Sequence, residues 1–97
     1  MKKFVLIFVS LQKPDVTTQQ KLGSEWMATL KKGTVDTCAP FEPGKMVSKN
    51  SIVDDKTDFG GFMIINADSL DTALKIAQTS PHVSLGGKII VKPLPNF

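Results

Sequence analysis

Three runs of this chain are apolar at every position, and they limit its fold more than any other feature of the sequence. The runs are residues 4–9, 62–65 and 89–91. Each is rich in β-branched and aromatic residues and is too short for an unaided helix, so each predicts a strand, the first extending over residues 4–11. Because alternate side chains of a strand point to opposite faces, both faces of the resulting sheet are predicted to be apolar.

The segment after the first strand has the pattern of an amphipathic helix. Leu22, Trp26 and Leu30 recur at a spacing of four residues and form one apolar stripe. Gly33 follows and can adopt the left-handed conformation that ends a helix. The pattern predicts a helix over residues 18–32.

A second helix is predicted after the second apolar strand. Asp68 or Ser69 can cap its first turn, and Ser80-Pro81 ends it. Its apolar positions predict a buried stripe made of Leu70, Ala73, Leu74 and Ala77.

The segment between the first helix and the second apolar strand is less regular. Pro40 and Pro43 interrupt two short candidate strands, residues 35–38 and Lys45–Ser48. A twisted hairpin is the arrangement that this pattern favours.

The order of the predicted elements is β-α-β-(β)-β-α-β, with a last strand over residues 88–94. This order is typical of a ferredoxin-like α+β fold. A chain of 97 residues is expected to form one domain over residues 1–97.

Two helices can cover only one face of such a sheet, so the other face needs a second cover. Each large apolar side chain on it would gain about 1.5 to 3 kcal/mol on burial. The total, on the order of 10 kcal/mol, is comparable with the whole stability of a domain, about 5 to 15 kcal/mol. A homodimer that packs sheet on sheet is the favoured cover, and a lid made from residues 34–58 is the alternative.

Composition excludes several classes of protein. All twelve basic residues are Lys, against nine Asp and Glu, and they form no basic stripe, which argues against nucleic-acid binding. Cys38 is alone, so a reducing, cytoplasmic location is expected. No apolar run approaches the roughly 20 residues that span a membrane. No spacing completes a catalytic triad, a zinc site or a nucleotide loop, so neither a metal nor a cofactor is predicted and catalysis stays open.

A few side chains are candidates for a site. His82 is the only imidazole and so the simplest catalytic acid or base near neutral pH; the alternative is a helix-terminal charge or a loop contact. Lys56 and Asp58 precede a strand and could line the mouth of a cavity where a ligand enters, or form a surface ion pair. Trp26 could stack on a ligand, although its helical spacing favours the core. Cys38 is expected to be a buried, inert thiol.

The second half of the chain carries several short motifs in a fixed order. They are Gly60-Gly61-Phe62-Met63-Ile64-Ile65, Ala67-Asp68-Ser69-Leu70-Asp71-Thr72-Ala73, Ser80-Pro81-His82, Gly86-Gly87 and Ile89-Ile90-Val91-Lys92-Pro93-Leu94. This run resembles the YCII-related, or DGPF-domain, proteins. The match extends over residues 56–94 and continues more weakly into the first strand and the Trp26 helix.

The resemblance implies a small ferredoxin-like chain that pairs sheet to sheet as a dimeric α+β barrel. It also implies a function in binding or processing a small organic molecule, since proteins with similar barrels include a dehalogenase and lactone isomerases. Some domains of this type are linked with sigma-factor regulation, so a non-catalytic regulatory or protein-interaction module is the alternative. The chain lacks the Asp-Gly-Pro-Phe signature near residues 49–52, has Leu22 near the usual first-helix His, and has Ser80 where an acidic residue precedes the Pro.

Overall fold

The apolar runs form the strands of one antiparallel sheet in the computed structural model. It describes residues 2–9 and 16–95, with side chains from residue 20 onward in the first helix. The elements along the chain are β1 (Lys2–Val9), α1 (Val16–Thr29), β2 (Val35–Pro40), β3 (Lys45–Ser48), β4 (Ser51–Asp54), β5 (Phe59–Ala67), α2 (Leu70–Gln78), α3 (Pro81–Ser84) and β6 (Lys88–Leu94).

The main sheet has four strands in the order β2-β5-β1-β6. The strand β1 lies in the middle and pairs antiparallel with both β5 and β6. The strand β2 pairs antiparallel with the outer side of β5. Strands that are joined through a helix, β1 with β2 and β5 with β6, therefore do not pair with each other. The ferredoxin-like arrangement predicted from the element order is confirmed.

One face of the sheet carries the core. Phe4 and Leu6 of β1 and Met63 and Ile65 of β5 point to this face and are buried, as is Trp26 of α1. The helix α2 packs over β1, β5 and β6. We call this side the helix-covered face.

The helix α2 begins where the sequence predicts but buries less than expected. The hydroxyl of Ser69, not Asp68, caps it by accepting a hydrogen bond from the backbone N–H of Thr72. Ala73 and Ala77 are buried, as predicted. Leu70 and Leu74 are 43% and 42% exposed, so the predicted four-residue stripe is wrong at these two positions. The side of α2 that faces the sheet is made of Ala73 and Ala77, and the two leucines lie beside this contact, partly in solvent.

Among the residues that the structure describes, no helix lies on the other side of the sheet, and we call this side the open face. Its apolar side chains are half-buried or, at Ile90, exposed; they are Val5, Ile7 and Val9 of β1, Phe62 and Ile64 of β5, and Ile90 of β6. The molecule measures 44 × 39 × 19 Å, and 19 Å is about the thickness of a sheet with a single helical layer. The prediction that the helices cover only one face is confirmed.

The hairpin predicted between residues 35–38 and Lys45–Ser48 does not form, because each of these strands pairs with a different strand. The strand β2 pairs with β5, whereas β3 forms its two-stranded hairpin with β4. Side chains on both faces of this hairpin are exposed, Val47 to 72% and Ile52 to 69%. A lid would bury one face of the hairpin, so the strands β3 and β4 do not seal the open face.

Candidate functional site

A cleft of about 450 Å³ opens between α1, α3 and the β2 end of the sheet. It forms because α1 packs on α3 at one end of the helical layer, while α2 covers the centre of the sheet. The walls are mostly aromatic and aliphatic. The side chains that line it are Phe8, Leu22, Trp26, Met27, Cys38, Ala39, Pro40, Phe41, Phe62, Met63, Ser80, Pro81, His82 and Leu85.

Trp26 belongs to the core and also lines the cleft. Its indole N–H donates a 2.9 Å hydrogen bond to the hydroxyl of Thr79 at the end of α2. This bond satisfies the polar atom of a side chain that is only 8% exposed and fixes the plane of the ring. The prediction that Trp26 belongs to the core is confirmed, and stacking of its ring on a ligand stays a prediction.

His82 lies on the short helix α3 and lines the same cleft. Its Nε2 is 2.9 Å from the backbone oxygen of Val9, and its ring meets the ring of Phe8 edge-on, with 5.2 Å between the centroids. A carbonyl oxygen can only accept, so Nε2 carries the hydrogen. In the neutral imidazole the lone pair is then on Nδ1, which is the atom able to take up a proton.

The motif Ser80-Pro81 sets the position of this imidazole. The buried Ser80 caps α3 by accepting a hydrogen bond from the backbone N–H of Val83, and Pro81 occupies the first helical position. The prediction that this motif ends the preceding helix is confirmed, since α2 ends at Gln78. The motif also begins the next helix, which the sequence pattern did not predict.

Two glycines make room for the site. A Cβ atom added to Gly87 would lie 2.5 Å from Nε2 of His82, and one added to Gly61 would lie 2.8 Å from the backbone oxygen of Ala39. The sequence predicts a close backbone approach or a bulge at Gly60-Gly61. The close approach is confirmed at Gly61, and the register of β1 against β5 also shifts at Gly60, since Phe8 pairs with Gly61 and Val9 with Phe59. The relation of Gly87 to His82 was missed, because a pair of glycines before a strand does not say which side chain needs the space.

Cys38 is a correction to the sequence analysis. The thiol is exposed and lines the cleft, whereas a buried one was predicted. The reason is its place on β2: this strand lies at the edge of the sheet, beyond the area that the helices cover.

Lys56 and Asp58 lie in the exposed segment before β5 and are not among the residues that line the cleft. Their role in binding stays a prediction. Next to them, the carboxylate of Asp55 accepts hydrogen bonds from the backbone N–H and the hydroxyl of Thr57. These bonds, the backbone one first, hold the pKa of Asp55 below its ordinary value.

Within residues 2–9 and 16–95, no group of three His, Cys, Asp or Glu side chains is placed to hold a metal ion. No helix in that part of the chain is long and apolar enough to cross a membrane.

Comparisons with known proteins agree with this architecture. The model of the YCII-related domain matches residues 4–94. A similar solved structure is the 5-chloro-2-hydroxyhydroquinone dehydrochlorinase TftG from Burkholderia phenoliruptrix AC1100, in complex with 2,5-dihydroxybenzoquinone. It is 18% identical, with a TM-score of 0.58 over 97% of this chain and 95% of that one, which shows a shared fold. No curated protein sequence matches this chain.

Proposed function

Because this chain belongs to the YCII-related domain family, we propose that it is a homodimer that holds a small organic molecule in the cleft between helices and sheet, with His82 as the group that exchanges a proton with it. The observation that carries this proposal is one imidazole, held in a defined tautomer, on the wall of a mostly apolar cleft.

The cleft has the size and walls that a ring-shaped organic molecule requires. Its volume of about 450 Å³ lies within the range of about 300 to 1,000 Å³ that is typical of ligand pockets. The aromatic residues Phe8, Trp26, Phe41 and Phe62 are among those that line it. Such surfaces bind planar, unsaturated molecules by stacking and by excluding water.

The hydrogen bond to Val9 gives His82 the chemistry of a base. The Val9 oxygen accepts from Nε2 whether or not Nδ1 carries a proton, so it orients the ring in both states. A hydroxyl group of a bound molecule within about 3 Å of Nδ1 would be placed for this transfer.

The open face supports the homodimer. Side chains of the kind that fill the core lie on it at Val5, Ile7 and Ile64, without a covering helix. Apolar patches of this extent on a small protein are usually interaction surfaces. A second copy covers the face with one self-complementary contact.

The test is a binding titration followed through Trp26, which is the only tryptophan of the chain and lines the cleft. The probe is 2,5-dihydroxybenzoquinone, chosen because the similar structure TftG contains it. We expect saturable quenching of the indole fluorescence and a rise of Tm, as for a ligand that binds only the folded state.

Three variants locate the binding. His82→Gln keeps an N–H donor near Val9 but has no proton acceptor equivalent to Nδ1, and we expect it to weaken binding. Lys56→Gln and Asp58→Asn lie outside the cleft lining, and an equal loss in either would place the site at that loop instead. Absence of saturable quenching by the hydroxyquinone and related ring compounds would contradict the proposal. A chain that binds none of these compounds but retains another protein in a pull-down would favour the regulatory alternative.

A further inference from the structure

Two lysines border the open face along one edge. The strand β6 is the outer neighbour of β1, and its residues Lys88 and Lys92 pair with Val9 and Val5. Their side chains therefore lie on the open face, one on each side of Ile90. This edge of the face is apolar at its centre and positively charged at both ends.

A hollow lies at the opposite edge, beside the base of the β3–β4 hairpin. It is lined by Pro40, Phe41, Glu42, Asp55 and Phe59, and we call it the acidic hollow. The ring of Phe41 stacks on that of Phe62 at a centroid distance of 5.8 Å, and Phe62 belongs to the open face. The hollow therefore continues the open face beyond β5.

The hollow and Lys88 lie at the same level along the strands. Val9 pairs with Lys88 on one side and with Phe59 on the other. Since neighbouring strands are about 4.8 Å apart, roughly three strand spacings separate Lys88 from the β2 edge of its own sheet. The lysine cannot reach the hollow of its own chain.

The charged residues of these two edges form no ion pair with each other or with a neighbour in the described part of the chain. The ion pairs found there are Lys3–Asp36 and Lys45–Asp54. Neither pair includes Lys88, Glu42 or Asp55. A positive edge and a negative hollow thus lie on opposite borders of one apolar face.

This pattern selects one of the two ways in which a second copy can pack face to face. A two-fold axis across the strands would place the two β6 edges on each other, so that Lys88 and Lys92 would face like charges. An axis along the strands places the β6 edge of one copy over the β2 edge of the other, at the same level. Lys88 then faces the acidic hollow.

We propose that Lys88 of the second copy docks in the acidic hollow, between the carboxylates of Glu42 and Asp55 and over the rings of Phe41 and Phe59. An ammonium group is attracted both by the carboxylates and by the faces of the rings. Phe41 and Pro40 also line the cleft. The second copy therefore brings a positive charge to the mouth of a cleft whose described lining residues include no Lys, Asp or Glu. The inference rests on the homodimer of the proposed function and specifies how it is built.

The area of the contact supports a role for the hollow. Four strands at about 4.8 Å, with the eight residues of β1 at about 3.3 Å each, give the sheet a face of roughly 500 Å². Stable complexes bury about 800 Å² on each partner. Contacts beyond the sheet itself, at the hollow and the hairpin base, supply the difference.

A charge-reversal experiment on the whole chain tests the contact. We expect Lys88→Glu and Glu42→Lys each to weaken dimerisation at least about tenfold in Kd, measured by sedimentation equilibrium, because each places like charges in the hollow. The double variant restores the pair in reversed order and should recover most of the affinity. The matched control is Lys21→Glu, an exposed position on α1 that changes the net charge equally.

Each outcome decides for or against the contact. Equal weakening by Lys88→Glu and Lys21→Glu, or a double variant weaker than both single ones, would overturn it while leaving the homodimer intact. A wild-type chain that is monomeric would instead overturn the proposed homodimer.

A cross-linking experiment tests the direction of the axis in the Cys38→Ser background. Ile90 pairs with Ile7, Ile7 with Phe62, and Phe62 with Ala39 across the four strands. Ile90 and Ala39 therefore lie at the same level on opposite edges of the sheet. A mixture of Ile90→Cys and Ala39→Cys chains should therefore form a mixed cross-link with a short bismaleimide. Cross-linking of Ile90→Cys to itself alone would place the axis across the strands and overturn the proposal.

Discussion

The helix-covered face and the open face of the sheet are built from the same kind of side chain, yet the described residues cover only one of them with helices. Leu6 is fully buried, whereas its neighbour Ile7 on the same strand is only half-buried. The difference comes from the number of helices and not from the apolar character of the strand. An apolar strand therefore predicts that both faces need a cover, and the described residues supply a helical cover for one of them.

Substitutions at two neighbouring positions of β1 test the difference between the two faces. Leu6→Ala should cost about 2 to 5 kcal/mol of the free energy of unfolding, because it leaves a cavity in the core. Ile7→Ala should cost no more than about 1 kcal/mol in dilute solution and more at high concentration, where the second copy covers it. Urea unfolding at two protein concentrations measures both; equal, concentration-independent losses would contradict the distinction between the faces.

A second prediction concerns the place where β2 joins the sheet. Gly61→Ala should lower the free energy of unfolding by about 1 to 3 kcal/mol, since the added methyl would press on the backbone of Ala39. Gly60→Ala is the control: its added Cβ would have no neighbour closer than 3.9 Å, so a change within about 0.5 kcal/mol is expected. If urea unfolding finds equal losses at the two positions, β2 does not approach Gly61 as described.

A third prediction concerns the edge of the helix-covered face. Gly87→Ala should displace the His82 ring and remove its bond to Val9, at a cost of about 1 kcal/mol. The Kd of the hydroxyquinone probe should then rise about three- to tenfold. Gly44→Ala, where an added Cβ meets nothing within 4 Å, should change neither quantity. Unchanged probe binding in Gly87→Ala would show that the tautomer held by Val9 is not part of the site.

The smallest effect is expected beside the open face, at Asp55. The hydrogen bonds from Thr57 lower the pKa of Asp55 in the folded chain below its ordinary value of 3.8. These bonds therefore stabilise the fold at pH values above 3.8, and this stabilisation is lost as the pH falls through the folded pKa. Asp55→Asn should flatten the dependence of Tm on pH below about 4 and leave it unchanged near pH 7. An identical acid limb in both proteins would argue against these bonds.

The sequence was most informative where local patterns decide the structure. The three apolar runs, the cap at Ser69 and the break at Ser80-Pro81 follow from side-chain periodicity and capping chemistry, and all three are found in the structure. Together with the order of elements, they were enough to predict the ferredoxin-like sheet.

Contacts between distant segments were not predicted. Nothing local to residues 35–48 shows that β2 joins β5 instead of β3, and the exposure of Cys38 follows from that edge position. The hydrogen bond between His82 and Val9 joins residues 73 positions apart. The candidate site could therefore be predicted only as a list of residues, of which the structure brings His82 and Trp26 to one cleft.

The mass of the wild-type chain in solution tests the central claim most directly. Sedimentation equilibrium over a range of concentrations near neutral pH should give twice the chain mass of 10.6 kDa. The folded variant Ile7→Asp, which places a charge on the open face, should give a mass close to 10.6 kDa. A wild-type chain that keeps the mass of one copy at every concentration, with its open face bare, would contradict the account.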